Sequence, residues 1–117
     1  MSLKDSTTTN RPVYQNVSQS AIPPNDNLFM FVDDYLVPKM NLEVIRPDFE
    51  SGKMGFFEIQ FIVEKDGTIS SIEVLTSVGP NIDAEIVRVL SESVWTPAKN
   101  RSEVVRQLMI LDTYFAY

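Results

Sequence analysis

Residues 55–97 constrain the fold most, because alternating apolar residues give way there to helical spacing within one short stretch. Gly55–Val63 alternates, and one face of this predicted strand carries Phe57, Ile59, Phe61 and Val63. Asp66-Gly67 then supplies a tight turn, because this pair tolerates the positive φ angles of a hairpin. A second strand is predicted over 68–77. Strict alternation fails between Ile69 and Ile72, so a bulge is expected near Ser70-Ser71.

An amphipathic helix is predicted next, over Ile82–Val94. Gly79-Pro80 closes the strand before it, and Asn81 or Asp83 is the candidate cap of its first turn. Trp95 follows the helix and is interpreted as a core residue between helix and sheet. The segment therefore predicts a ββα unit.

The flanking segments extend this unit to a small domain. Leu28–Val37 is predicted as a helix that Pro38 stops, and Val104–Tyr114 is predicted as a long last strand. The residues between, 39–53, are ambiguous, with Asn41–Ile45 a candidate short strand. The order α-β-β-α-β predicts an α+β fold, namely a two-layer, three-stranded antiparallel sheet with two helices packed on one face. The role of residues 39–53 is left open.

The first 27 residues are polar and rich in Ser, Thr, Asn, Gln and Pro. They are predicted to be a flexible tether, and residues 28–117 are predicted to be the folded domain. The alternative is a short extended arm that packs Val13, Tyr14 and Val17 on the domain.

Composition excludes most catalytic chemistry. The 117 residues include no cysteine and no histidine, which removes thiol nucleophiles, Ser-His-Asp triads and zinc–thiolate sites. The net charge of −6 argues against nucleic acid as a partner, since phosphate backbones repel an acidic surface. The longest apolar run, Leu28–Val32, is far too short to insert into a membrane.

The carboxylate clusters are Asp33-Asp34 and Asp48 with Glu50. Both are interpreted as solvated surface charge, because adjacent helical residues point in different directions and make poor co-ligands. A hydrolase would need one such pair in a deep acidic pocket. We therefore expect no enzyme, no metal and no cofactor.

The motif from Gly55 to Ser77, together with Asp83-Ala84 and the sequence Trp95-x-Pro97-Ala98, resembles the TonB C-terminal domain family. The resemblance covers about residues 28–117. It is specific because all of these motifs occur at the spacing that is typical of the family. Two features depart from the family pattern. Residues 36–49 lack the usual Tyr-Pro pair and Ala-rich stretch, and Ser102 replaces a common glycine.

The resemblance implies a non-enzymatic, periplasmic interaction domain of the Gram-negative cell envelope, active in energy-coupled transport. Such a domain binds a peptide segment of an outer-membrane receptor by adding it as a strand beside its last strand. The residues expected to contact this partner are Val105, Arg106, Gln107, Leu108, Met109 and Ile110.

The alternative is a homodimeric structural or assembly domain of the envelope without a transport role. The same sheet edge, or an exposed pair formed by Phe56 and Tyr114, would then join two copies. In either case we expect the membrane anchor or signal peptide to lie outside this sequence.

Overall fold

A sheet with helices on one face forms the centre of the computed structural model, which describes residues 12–115. The predicted α+β class is confirmed. In chain order the elements are β1 (Val13–Tyr14), a π-helical turn (Val32–Leu36), a 3-10 turn (Val37–Lys39), α1 (Leu42–Glu50), β2 (Gly55–Val63), β3 (Ile69–Thr76), α2 (Pro80–Glu92), β4 (Ala98–Asn100) and β5 (Glu103–Phe115).

Three long antiparallel strands make up most of the sheet, as predicted, with β2 between β3 and β5. The structure adds two short strands to β5. β1 pairs with it in parallel, and β4 pairs with it as a hairpin, so the sheet is mixed. The predicted bulge in β3 is confirmed, because the register shifts opposite Gln60 and Ile62 and Ser71 has a φ of 51°.

The core lies between β2 and α2. The four alternating residues of β2 predicted to face inward are all buried, as are Ile82, Ile86 and Leu90 of α2. Trp95 is 3% exposed, and its ring centroid lies 5.0 Å from that of Phe31 and 5.4 Å from that of Phe61. The prediction that this tryptophan belongs to the core is therefore confirmed.

The structure corrects two predictions between residues 28 and 53. Helical geometry begins at Phe31 rather than Leu28, and it continues through Pro38 to Lys39 as a 3-10 turn. The candidate strand Asn41–Ile45 is instead the start of α1. The Asn41 side chain accepts a hydrogen bond of 2.9 Å from the backbone N–H of Glu43, so Asn41 is the N-cap of α1 and not the first residue of a strand.

The N-terminal arm, residues 12–22, is ordered against the sheet. After β1, the backbone of Gln19 pairs with Lys99 and that of Ile22 pairs with Thr96. Tyr14 and Val17 pack on the core, and Ala21 is 3% exposed. These contacts agree with the packed-arm alternative for Tyr14 and Val17, whereas Val13 is 39% exposed. The tether prediction for residues 1–11 lies outside the described residues.

Asp48 differs from its prediction as a solvated surface charge, since it is 4% exposed. Its carboxylate accepts hydrogen bonds of 2.8 Å from the backbone N–H groups of Asn81 and Ile82, in the first turn of α2. Neither predicted cap, Asn81 or Asp83, supplies this bond. The Asp83 carboxylate instead accepts from the N–H groups of Val78 and Gly79 in the preceding loop.

Candidate functional site

One edge of β5 is the candidate site. β2 pairs with Gln107–Phe115 along the other edge. On the candidate edge, β1 pairs with Arg106 and Gln107. Within residues 12–115, no strand pairs with the candidate edge from Leu108 to Phe115. The main-chain groups that face this side therefore have no strand partner in this part of the chain.

The Gln107 side chain holds the N-terminal arm at the point where the open edge begins. Its Oε1 accepts a 2.8 Å hydrogen bond from the backbone N–H of Ala21. Its Nε2 donates to the Gln15 carbonyl and to Ser20 Oγ, each at 3.3 Å. Gln107 is 4% exposed, so these bonds satisfy a buried amide and attach the arm to β5 beyond Tyr14.

A groove runs beside the open edge. One side is formed by residues of β5, and the other by the segment that leads into the π-helical turn. The lining residues are Leu28, Phe29, Val32 and Asp33 on the helical side and Ile110, Leu111, Asp112 and Thr113 on the strand side. An added strand would therefore lie with one of its faces against the helical segment.

Phe29 is the most exposed large apolar side chain at the groove, at 91%. Its neighbour two residues along, Phe31, is fully buried and stacks on Tyr35 with ring centroids 5.4 Å apart. Phe31 and Leu36 anchor the helical segment in the core. The anchoring leaves Phe29 in solvent at the rim of the groove, where a bound side chain could cover it.

The backbone that borders the groove has an unusual conformation. The N–H of Val37 donates to the carbonyl of Val32, which is the i→i+5 pattern of a π-helical turn. Such turns are rare, and they concentrate at functional sites. The turn also lies directly against the open edge, since Val32 lines the groove together with Thr113.

An ion pair stands at the end of β5 where the arm docks. The Arg106 guanidinium donates to Glu64 at 2.7 Å, and both side chains are partly buried. Hydrogen bonding from Arg106 holds the pKa of the Glu64 carboxyl below its usual range, and a hydrogen bond from Ser70 acts in the same direction. This pair joins β5 to Glu64, the residue that directly follows β2.

The face of the sheet opposite the helices, called the uncovered face below, carries the predicted exposed aromatic pair. Phe56 and Tyr114 lie opposite each other in the β2–β5 register, and they are 47% and 68% exposed. The next pair on the same face is Glu58 opposite Asp112. Two carboxylates in directly opposed positions repel each other, so this face combines exposed aromatic rings with a pair of like charges.

The six residues predicted to contact a partner all lie in β5, but they are not equivalent. Val105 pairs with β4, and Arg106 and Gln107 pair with β1, so their main chains already have partners. Leu108, Met109 and Ile110 begin the open edge.

The groove also contains residues that sequence reasoning did not select, above all Phe29, Asp112 and Thr113. The sequence contains one indication that an apolar residue near Phe29 is exposed. The run Leu28–Val32 is apolar at every position, which is more than one helical face can bury.

The far edge of β3 is the other open edge of the sheet within the described part of the chain. Its bulge places Ser71 at positive φ and interrupts the ladder. Bulges of this kind protect sheet edges from pairing with other chains. The β5 edge has no such interruption between Gln107 and Phe115, where the register with β2 is continuous.

No helix within residues 12–115 is long and apolar enough to cross a membrane. A comparison with curated proteins produced no significant match. A family model described as the C-terminal region of the Gram-negative bacterial TonB protein matches residues 50–116, more than half of the chain. The match includes the β2–β3 hairpin, α2 and the open edge of β5, so this chain belongs to the TonB C-terminal domain family.

Proposed function

We propose that this chain is a non-enzymatic interaction domain of the cell envelope that binds an extended segment of an outer-membrane receptor. The segment would add to the sheet as a strand beside Leu108–Phe115, and the domain would serve energy-coupled transport. The observation that carries this proposal is the unpaired edge of β5 with a groove alongside it. Family membership supports the class of partner.

The binding site proposed here is shifted along β5 relative to the sequence prediction. The arm pairs with Arg106 and Gln107, so an added strand would start after them, at Leu108. It would run in line with β1, and its side chains would alternate between the groove and the uncovered face of the sheet. Main-chain hydrogen bonds would supply affinity, and the groove would supply selectivity.

The proposal can be tested by adding a synthetic peptide from the N-terminus of an outer-membrane receptor to isotope-labelled protein. Amide resonances of Leu108–Phe115 and of residues 28–33 should shift together. Shifts along β3 or on the uncovered face alone, or no shifts at all, would show that the β5 edge is not the binding site.

Two N-methylated peptides make the test specific for strand addition. Each carries methyl groups on alternate residues, so only one of the pair loses the N–H groups that face β5. One peptide should bind as the parent does and the other should not bind. Equal binding of both would mean that side chains, and not the main chain, hold the partner.

Self-association is the alternative, through the same edge or through Phe56 and Tyr114. The exposure of these two rings favours it. Glu58 and Asp112 oppose it on that face, because a two-fold contact would bring four carboxylates together. Light scattering at micromolar concentration separates the two functions, since a monomer that binds the peptide excludes a dimer through the edge.

A further inference from the structure

The ionisable side chains that line the groove are all acidic. Asp33 lies on the helical side and Asp112 on the strand side, and both are exposed. None of the lining residues is a lysine or an arginine. The charged side chains of the groove, which borders Ile110–Thr113 of the open edge, therefore have one sign.

The negative charge continues onto β2. Glu58 lies directly opposite Asp112 in the register, on the uncovered face of the sheet. Like charges in opposed positions of an antiparallel pair destabilise the sheet. Within residues 12–115, neither Glu58, Asp112 nor Asp33 forms an ion pair with a lysine or arginine. Because β5 separates β2 from the open edge, a cationic side chain on an added strand would lie beside Asp112 and offset part of the negative charge of this pair.

Apolar side chains occupy the rest of the groove. Phe29, Leu28 and Ile110 are 91%, 39% and 48% exposed, respectively. In an added strand, alternate side chains would face the helical segment and the uncovered face. The side facing the helical segment would meet Leu28 and Phe29 with Asp33 beside them, and the side on the uncovered face would meet Asp112 between Ile110 and Tyr114.

We propose that the segment bound at this edge is cationic, with lysine or arginine side chains toward Asp112 and Glu58 and apolar side chains against Phe29. The inference rests on the proposed strand addition, and it specifies the chemistry of the partner. The protein's net charge of −6 would also attract such a segment over longer distances. A hydrophobic segment without cations would not reduce the repulsion between Glu58 and Asp112.

The test uses three short peptides in which valine alternates with lysine, glutamine or glutamate. Dissociation constants are measured at low ionic strength, and each site is located by amide shifts. The lysine peptide should bind along Leu108–Phe115 at least about fivefold more tightly than the glutamine peptide, as expected for one or two exposed ion pairs. The glutamate peptide should bind most weakly. Added salt should weaken only the preference for lysine.

Matched variants assign the preference to particular carboxylates. Asp112→Asn should reduce the advantage of the lysine peptide severalfold, and Asp33→Asn should reduce it less. Asp34→Asn is the control, because Asp34 is the same residue type and is adjacent to Asp33 in sequence but does not line the groove. It should leave the preference unchanged.

The outcomes separate this inference from the proposed function. Equal binding of the lysine and glutamine peptides at Leu108–Phe115 overturns the cationic partner and leaves strand addition standing. Binding of the lysine peptide elsewhere, or of no peptide, overturns both. A preference for lysine that Asp112→Asn and Asp34→Asn reduce equally also overturns the inference, since overall charge would then account for it.

Discussion

Asp48 caps a helix to which it does not belong, because its Oδ2 accepts the backbone N–H of Ile82 at 2.8 Å. The same oxygen accepts from Asn81, and the carboxylate is buried. The residue at the N-cap position of α2 is Gly79, which has no side chain to offer. A Cβ added at Gly79 would stand 2.7 Å from Asp48 Oδ2, so the glycine makes room for the cap. The carboxylate thus joins α1 to α2.

We expect Asp48→Ala to lower the free energy of unfolding by about 2 kcal/mol, because the variant leaves two N–H groups of α2 without their acceptor. Asp48→Asn should cost less, since an amide oxygen can still accept. Urea denaturation measures both. Glu50→Ala is the control at an exposed site of the same helix, with an expected change within about 0.5 kcal/mol. Equal effects at the two positions would contradict the capping role.

Gly67→Ala should destabilise the domain by more than about 2 kcal/mol. A Cβ there would lie 2.2 Å from the carbonyl oxygen of Trp95, and the φ of 87° is already unfavourable for alanine. Gly52→Ala is a matched control, because its φ is 78° but its Cβ would meet open space. It should cost only about 1 kcal/mol. Thermal unfolding of the two variants separates steric overlap from backbone strain, and similar melting temperatures would argue against the close approach.

Stability should fall as the pH drops below about 4.5, the ordinary pKa of glutamate. Hydrogen bonds from Arg106 and Arg88 lower the pKa of Glu64 and of Glu85, respectively. A lowered pKa in the folded state stabilises the protein above the unfolded-state pKa, and this stabilisation is lost as the pH falls through the folded-state value. Urea midpoints measured across this range should show the loss.

The double variant Glu64→Gln with Glu85→Gln should have a flatter pH profile, because it lacks both carboxylates. The same substitution at exposed Glu50 is the control. An unchanged slope in the double variant would mean that other carboxylates dominate acid sensitivity.

Gln107→Ala should release the N-terminal arm. The amide protons of Gln19 and Ile22, which donate to Lys99 and Thr96 at 2.9 Å, should then exchange faster with solvent. Gln15→Ala is the control, since Gln15 accepts from Gln107 through its backbone carbonyl, which the substitution keeps. Hydrogen exchange followed by NMR resolves these sites. Unchanged protection in Gln107→Ala would show that backbone pairing alone holds the arm.

Much of the fold was predictable because its signals are local. Alternation in β2, the Asp66-Gly67 turn and the bulge near Ser71 each depend on neighbours within a few residues. The apolar stripe predicts helix α2, although the predicted range is shifted by two residues at each end. The predicted bounds of the helical segment after Leu28 are only approximate, because its π and 3-10 turns deviate from the regular helical repeat.

The sequence by itself determined the α+β class, the central hairpin, the family resemblance and the absence of histidine and cysteine chemistry. Only the tertiary structure decided which part of β5 pairs with the arm and which part is an open edge, and that Phe29 and Asp112 line the same groove. Periodicity and turn chemistry reflect short-range sterics and burial, so they can be recognised along the chain. The contact between Ala21 and Gln107 spans 86 residues, and such contacts depend on which surfaces the packed core brings together.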